Sequence, residues 1–180
     1  MSGGRFVLLD RDGTVIVFKD YLSDTDEVVL LPGAADGMRR LRDMGLGLIL
    51  ITNQSAIGRG FINKARLAQI HHRLCALLKA EGVTLDAIYY CPHTPDDHCQ
   101  CRKPAVGMVD QARSQFQFDP AQCFMIGDFD SDIELGRAIG AVTFRIQSPG
   151  NPVITLPQQV KADHTVDDLN EAADIIADLM

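Results

Sequence analysis

Apolar residues in this chain fall either into short unbroken runs or into segments with a three-to-four-residue repeat, and the alternation of the two predicts the fold. Phe6, Val7, Leu8 and Leu9 form a run too short for a buried helix and suited to a strand covered on both faces. Further segments over 47–52, 85–90, 123–126 and 141–146 are expected as four more strands. Ala34, Met38, Leu41 and Met44 predict a helix ending at Gly45. Leu67, Ile70, Leu74, Leu77 and Leu78 give the buried side of a longer helix running from an Asn63 cap to about residue 80, with Cys75 in the same core. Further helices are expected over 107–115, 133–139 and 166–179, and a loop or short hairpin over 15–31. Strands alternating with helices make an α/β protein, a parallel sheet with right-handed crossovers and helices on both faces. Ligands of such sheets settle beyond the carboxyl ends of the strands.

Those ends carry the unusual residues. The first strand runs into Asp10 and Asp12, which as alternate residues converge on one side, while Gly13 lets the chain turn away above them. The second ends in Thr52, Asn53, Gln54 and Ser55, and the fourth in Gly127, Asp128, Asp130 and Asp132. Neither acidic stretch is a calcium loop: Val15 and Ile133 stand where glycine is needed, and Tyr21 and Ile139 where the closing glutamate is needed. Carboxylates gathered at one edge repel one another, and a divalent cation relieves the repulsion. Oxygen-only donors suit magnesium, which also bridges phosphate oxygens. Asp128 is the first choice as ligand and Asp132 the second, since Ser131 and Asp132 are also good helix caps. Thr52, Asn53 and Ser55 offer hydroxyl and amide donors and Lys103 a cation, a set suited to a phosphoryl group. An aspartate can act as nucleophile, and an acid two residues later can protonate the leaving alcohol and then take a proton from water.

Composition narrows the field. A chain of 180 residues with 46% hydrophobic content fits one domain over 1–180. A net charge of −7, a pI near 5.1 and no basic run exclude nucleic acid as the expected partner. No apolar stretch approaches the roughly 20 residues of a membrane span, and the first residues lack a leader's charged start and apolar middle, so a soluble, cytoplasmic monomer is expected. Five cysteines are an odd number, and three crowd between 91 and 101. Cys91, His93, Cys99 and Cys101 fit a closed tetrahedral zinc site, with His98 the alternative to His93. Zinc would order the loop 91–104, which has little apolar content of its own, and fix Arg102 and Lys103 over the crevice. The Arg102 fork suits a second phosphate; Arg59 is a weaker candidate, and His71, His72 and His164 read as surface or helix-flank residues.

Asp10-Arg-Asp12-Gly-Thr14, Thr52-Asn-Gln-Ser55, Arg102-Lys103-Pro104 and Gly127-Asp128 with Asp132 resemble, in order and spacing, the four motifs of the haloacid dehalogenase (HAD) superfamily of phosphohydrolases. The resemblance implies a Rossmann-like HAD fold, Asp10 as nucleophile, Asp12 as acid/base, and Thr52 and Lys103 steadying the phosphoryl group. It implies magnesium on Asp10, the Asp12 backbone carbonyl and Asp128. With the zinc loop, the chain resembles the D-glycero-D-manno-heptose-1,7-bisphosphate 7-phosphatases and the related histidinol-phosphate phosphatases. No insertion large enough for a cap domain is present, so an open site walled by the zinc loop and the 18–21 loop, with Asp20 and Tyr21 on the substrate, is expected. The chain departs from the heptose pattern at Ile16 and Phe129, where asparagine and lysine are common, both expected near the substrate mouth. The expected activity is hydrolysis of the 7-phosphate of the heptose bisphosphate. The alternatives are histidinol phosphate or another small sugar phosphate as substrate, or a zinc-stabilised binding protein without catalysis.

Overall fold

The computed structural model describes residues 4–148 and 159–180; residues 1–3, part of the stretch read above for a leader, lie outside them. Six strands form one parallel sheet: β1 (Phe6–Leu9), β2 (Gly47–Asn53), β3 (Ala87–Cys91), β4 (Phe124–Gly127), β5 (Val142–Ile146) and β6 (His164–Val166), in the order β3-β2-β1-β4-β5-β6. The helices are α1 (Ala34–Asp43), α2 (Ser55–Gly58), α3 (Lys64–Ala80), α4 (Gly107–Phe116), α5 (Asp130–Ala138) and α6 (Leu169–Leu179).

The unbroken apolar runs have their cause in the two faces of the sheet. Along β1, Val7 and Leu9 join Leu48, Leu50, Ile126 and Phe144 in one buried cluster with α1, α3 and α6. Phe6 and Leu8 join Ile49, Ile51 and Met125 in another with Met108, Val109 and Ala112 of α4 and Leu135 of α5. All four β1 side chains are buried, each large aliphatic one contributing about 1.5–3 kcal/mol. Strand order reverses direction between β1 and β4, which pair at Val7↔Phe124 and Leu9↔Ile126, and this places the ends of both at the switch point.

Several boundaries differ from expectation for local reasons. β6 is a three-residue strand, too short for a period to show, and its presence delays α6 to Leu169, where Asp168 caps by accepting from the Glu171 N–H at 2.9 Å. His164 is therefore a strand residue stacked on Phe144 at 4.8 Å rather than a surface one. α5 starts at Asp130, three residues early, because Asp132 serves from inside the first turn, accepting from the Phe129 N–H. Cys75 is exposed; its neighbour Leu74 takes the core position. The 15–31 segment is the expected hairpin-like excursion, tied by Val17 N–H to the Val29 carbonyl and Leu31 N–H to the Val15 carbonyl. Ile16, expected near the substrate mouth, is fully buried in it. No helix among the described residues is long and apolar enough to cross a membrane.

Candidate active site

The crevice lies over the ends of β1, β2 and β4. Gly13 at φ 77° turns the chain after β1 in a left-handed conformation that a side chain would strain. Asp10 ends β1 and is anchored by its N–H to the Ile126 carbonyl, so its carboxylate is set by the β1–β4 register. Carboxylate oxygens of Asp10, Asp128 and Asp132 lie within 4.8 Å of one another, all three residues buried. Asp132 reaches this spot because Gly127 carries no side chain: a Cβ there would overlap the Asp132 carboxyl.

Lys103, 4% exposed, points its ammonium into the cluster and donates to Asp10 Oδ1 at 2.7 Å and to the Ile51 carbonyl at 2.8 Å. It also pairs with Asp132 Oδ1 at 2.6 Å. Burial works to lower the Lys103 pKa, but Asp10 and Asp132 outweigh it, so the amine is held above its ordinary value and stays charged. Burial pushes Asp10 up to about 7 against the pull of Lys103, with Asp132 and Asp12 adding repulsion. Were all three carboxylates ionised against the one ammonium, the cluster would carry two negative charges in excess.

Asp12 stands apart from this trio. Its carboxylate accepts from Arg11 Nε at 3.1 Å, Arg11 Nη2 at 3.0 Å and Gln54 Nε2 at 2.9 Å, and its side chain keeps 17% exposure at the crevice. Asp130 is engaged elsewhere, by Arg145 and by the backbone of Gln159 and Val160, and is not in the cluster.

The walls include Phe18, Asp20, Tyr21, Ser55, Arg102 and Phe129. Asp20, Tyr21, Ser55 and Arg102, expected on the substrate, thus line the crevice. Thr52 is buried, with its hydroxyl accepting from Gln54 Nε2 at 2.9 Å. Asn53 lines the crevice but spends its amide on the Lys103 backbone, donating to the carbonyl at 3.2 Å and accepting from the N–H at 3.0 Å, so it positions Lys103.

Beside the crevice, Cys91 Sγ lies 3.2 Å from Cys101 and 3.6 Å from Cys99, Cys99 lies 3.6 Å from Cys101, and His93 Nδ1 approaches Cys91 and Cys101 at 3.5 and 3.2 Å. A zinc ion with bonds of about 2.3 Å sets tetrahedral edges of roughly 3.8 Å, so the four atoms fit such an ion after a small expansion. His98 is exposed and outside this group. Arg102 Nη1 donates to the His93 carbonyl at 3.3 Å, linking the cysteine loop to the crevice.

The sequence reading missed Arg11, Gln54 and His71. Arg11 is 1% exposed, and its Nη1 meets His71 Nε2 at 3.2 Å; His71 is half-buried, with its ring against Tyr90. An arginine inside a strand-end motif that is otherwise buried was the available signal, since a buried guanidinium demands partners.

A doubly wound sheet thus brings a buried aspartate, a second acid and a buried lysine together at its switch point, an arrangement suited to a phosphohydrolase. Residues 100–172 match the HAD-hydrolase-like family model. The chain is 36% identical over 176 residues to D-glycero-beta-D-manno-heptose-1,7-bisphosphate 7-phosphatase of Yersinia pestis, covering 94% of this chain and 92% of that one. It is 36% identical to the enzyme of the same name from Haemophilus ducreyi, covering 97% of each. Its fold superposes with a TM-score of 0.87 on D,D-heptose 1,7-bisphosphate phosphatase from B. bronchiseptica complexed with magnesium and phosphate, at 30% identity over 98% of this chain and 99% of that one. The chain belongs to the HAD-like hydrolases and is a phosphomonoester hydrolase.

Proposed function

We propose that the protein hydrolyses the 7-phosphate of D-glycero-D-manno-heptose 1,7-bisphosphate through an aspartyl-phosphate on Asp10, with magnesium at the carboxylate trio and zinc at the cysteine loop. The observation that carries this is the convergence of Asp10, Asp128 and Asp132, two of them paired with the Lys103 ammonium, with Asp12 lining the same crevice. A divalent cation fits: the donors are hard oxygens, the charge excess with all three ionised is two, and burial alone drives Asp10 towards its protonated form. Asp10, Asp128 and the Asp12 backbone carbonyl would hold magnesium, with Asp132 close enough to assist. Bound there, it keeps the carboxylates ionised and neutralises the phosphoryl oxygens. The relatives' names and the magnesium and phosphate of the B. bronchiseptica enzyme support the same reading.

The chain's own residues supply the rest. Asp10 attacks phosphorus through a carboxylate oxygen, and the ester oxygen departs as the Asp12 carboxyl gives it a proton. Asp12, now ionised, takes a proton from a water molecule, which attacks the aspartyl-phosphate, releasing phosphate and restoring Asp10. Lys103 and the Thr52 hydroxyl stabilise the transferring group, and Ser55, Asp20, Tyr21 and Arg102 contact the substrate, Arg102 facing its second phosphate.

Phe18 and Phe129, with ring centroids 6.2 Å apart, give the crevice an aromatic wall, and this favours histidinol phosphate, with its planar ring, as the second reading. Phosphate release from a panel containing the heptose bisphosphate, histidinol phosphate and simple sugar phosphates tests both. The first reading expects the highest kcat/KM on the heptose bisphosphate. Activity confined to histidinol phosphate rejects it, and no activity with magnesium present points to a non-catalytic binding protein.

A further inference from the structure

We propose that Arg11, Gln54 and His71 act as one positioning array that holds Asp12 in its working orientation, with His71, some sixty residues away in sequence, as its far anchor. The inference rests on the reading of Asp12 as acid/base. Arg11 lies almost wholly out of solvent, where a guanidinium needs acceptors, and four of its five N–H groups find them among Asp12, Gln54 and His71. Nε and Nη2 are taken by the two Asp12 oxygens, Nη2 also donates to Gln54 Oε1 at 2.9 Å, and Nη1 donates to His71.

These contacts determine both partners. Arginine cannot accept, so His71 Nε2 must present its lone pair, and the ring is neutral with its proton on Nδ1. Burial and the adjacent Arg11 charge agree, pushing the His71 pKa down to about 4. Gln54 accepts from Arg11 through Oε1, so its Nε2 is left to donate to Asp12 Oδ2 and Thr52 Oγ1, each at 2.9 Å. Three donors therefore grip the Asp12 carboxylate from the protein side and leave its open edge to the crevice. Loss of one anchor lets the carboxylate swing, and misplacement of a proton donor by about 1 Å costs up to about a hundredfold in rate.

The test uses p-nitrophenyl phosphate, whose leaving group departs without a proton, with the magnesium-loaded full chain. Formation of the aspartyl-phosphate then bypasses Asp12, whereas its hydrolysis still needs Asp12 as base. Asp12→Asn is the reference. It should release one equivalent of p-nitrophenolate at close to the wild-type rate and then stall.

His71→Leu removes the acceptor, and Gln54→Met, a second variant should the first fail to fold, removes the amide bridge. Each should reproduce the retained burst with steady-state turnover down about tenfold to a hundredfold, KM falling with it and kcat/KM little changed. His71→Gln, which can still accept from Arg11, should recover most of the turnover. The proposal is overturned if burst and turnover fall together in the variants, if both variants turn over like the wild type, or if His71→Gln is no better than His71→Leu. Should Asp12→Asn itself fail to separate burst from turnover, the acid/base reading falls, which is a different result from any of these.

Discussion

Replacing Lys103 with Met keeps the aliphatic stem and removes the ammonium that pairs with two of three clustered, buried carboxylates. Its side chain is 2% exposed, and those of its partners Asp10 and Asp132 are 9% and 1% exposed, so water cannot take its place. Breaking a buried ion pair from one side costs about 3–5 kcal/mol, a large part of the roughly 5–15 kcal/mol of a typical domain. The loss should depend on pH in a direction fixed by Asp10. Its folded pKa is raised from 3.8 to about 7, so Asp10 favours the fold at low pH and that contribution is lost as pH rises through 7. Removing Lys103 removes the main influence holding the Asp10 pKa down and extends the window upward. Urea denaturation without magnesium, zinc retained, should show a loss of about 3–5 kcal/mol near pH 8, shrinking to about 1–2 kcal/mol near pH 5.5 where Asp10 carries a proton. A loss below about 1 kcal/mol near pH 8, or one of the same size at both pH values, would refute the reasoning.

Magnesium should raise the melting temperature near pH 8 and lose most of that effect near pH 5, because binding requires the Asp10 proton to leave; an equal shift at both pH values contradicts this. Gly127→Ala pushes the Asp132 carboxyl away from Lys103 and the Phe129 N–H, so phosphate release should fall at least about tenfold with about 1–3 kcal/mol lost in a melt; wild-type values for both would remove Asp132 from the account. Metal analysis should find about one zinc per chain, and Cys99→Ser should lower zinc content and raise KM through Arg102, which donates to the His93 carbonyl. Full zinc and unchanged KM would exclude Cys99 as a ligand.

The sheet was legible because burial on both faces writes unbroken apolar runs, and β1, β2 and β4 carry them plainly, whereas Thr143 and Arg145 interrupt β5. β6 escaped because three residues hold no period. Asp10 and Asp128 were legible from their places at strand ends. Asp132 was ranked lower because an acid in a helix's first turn has a simpler explanation as a cap, and here it does both, one oxygen on the Phe129 N–H and the other on Lys103. Asn53 reads as facing the substrate, yet its amide is spent on the Lys103 backbone, while Thr52 accepts from Gln54 and keeps its O–H to donate. His71 was invisible for a different reason: on α3 it reads as a flank residue, and only the tertiary approach of Arg11 gives it a partner.

The central claim is that Asp10 carries the phosphoryl group, and acid-quenching the enzyme during turnover of the heptose bisphosphate tests it most directly. Peptide mass spectrometry should find one added phosphoryl group on the Asp10 carboxylate, absent in Asp10→Asn, which should also be inactive while folded. A phosphoryl group on any other side chain, or an active Asp10→Asn enzyme, would contradict the account.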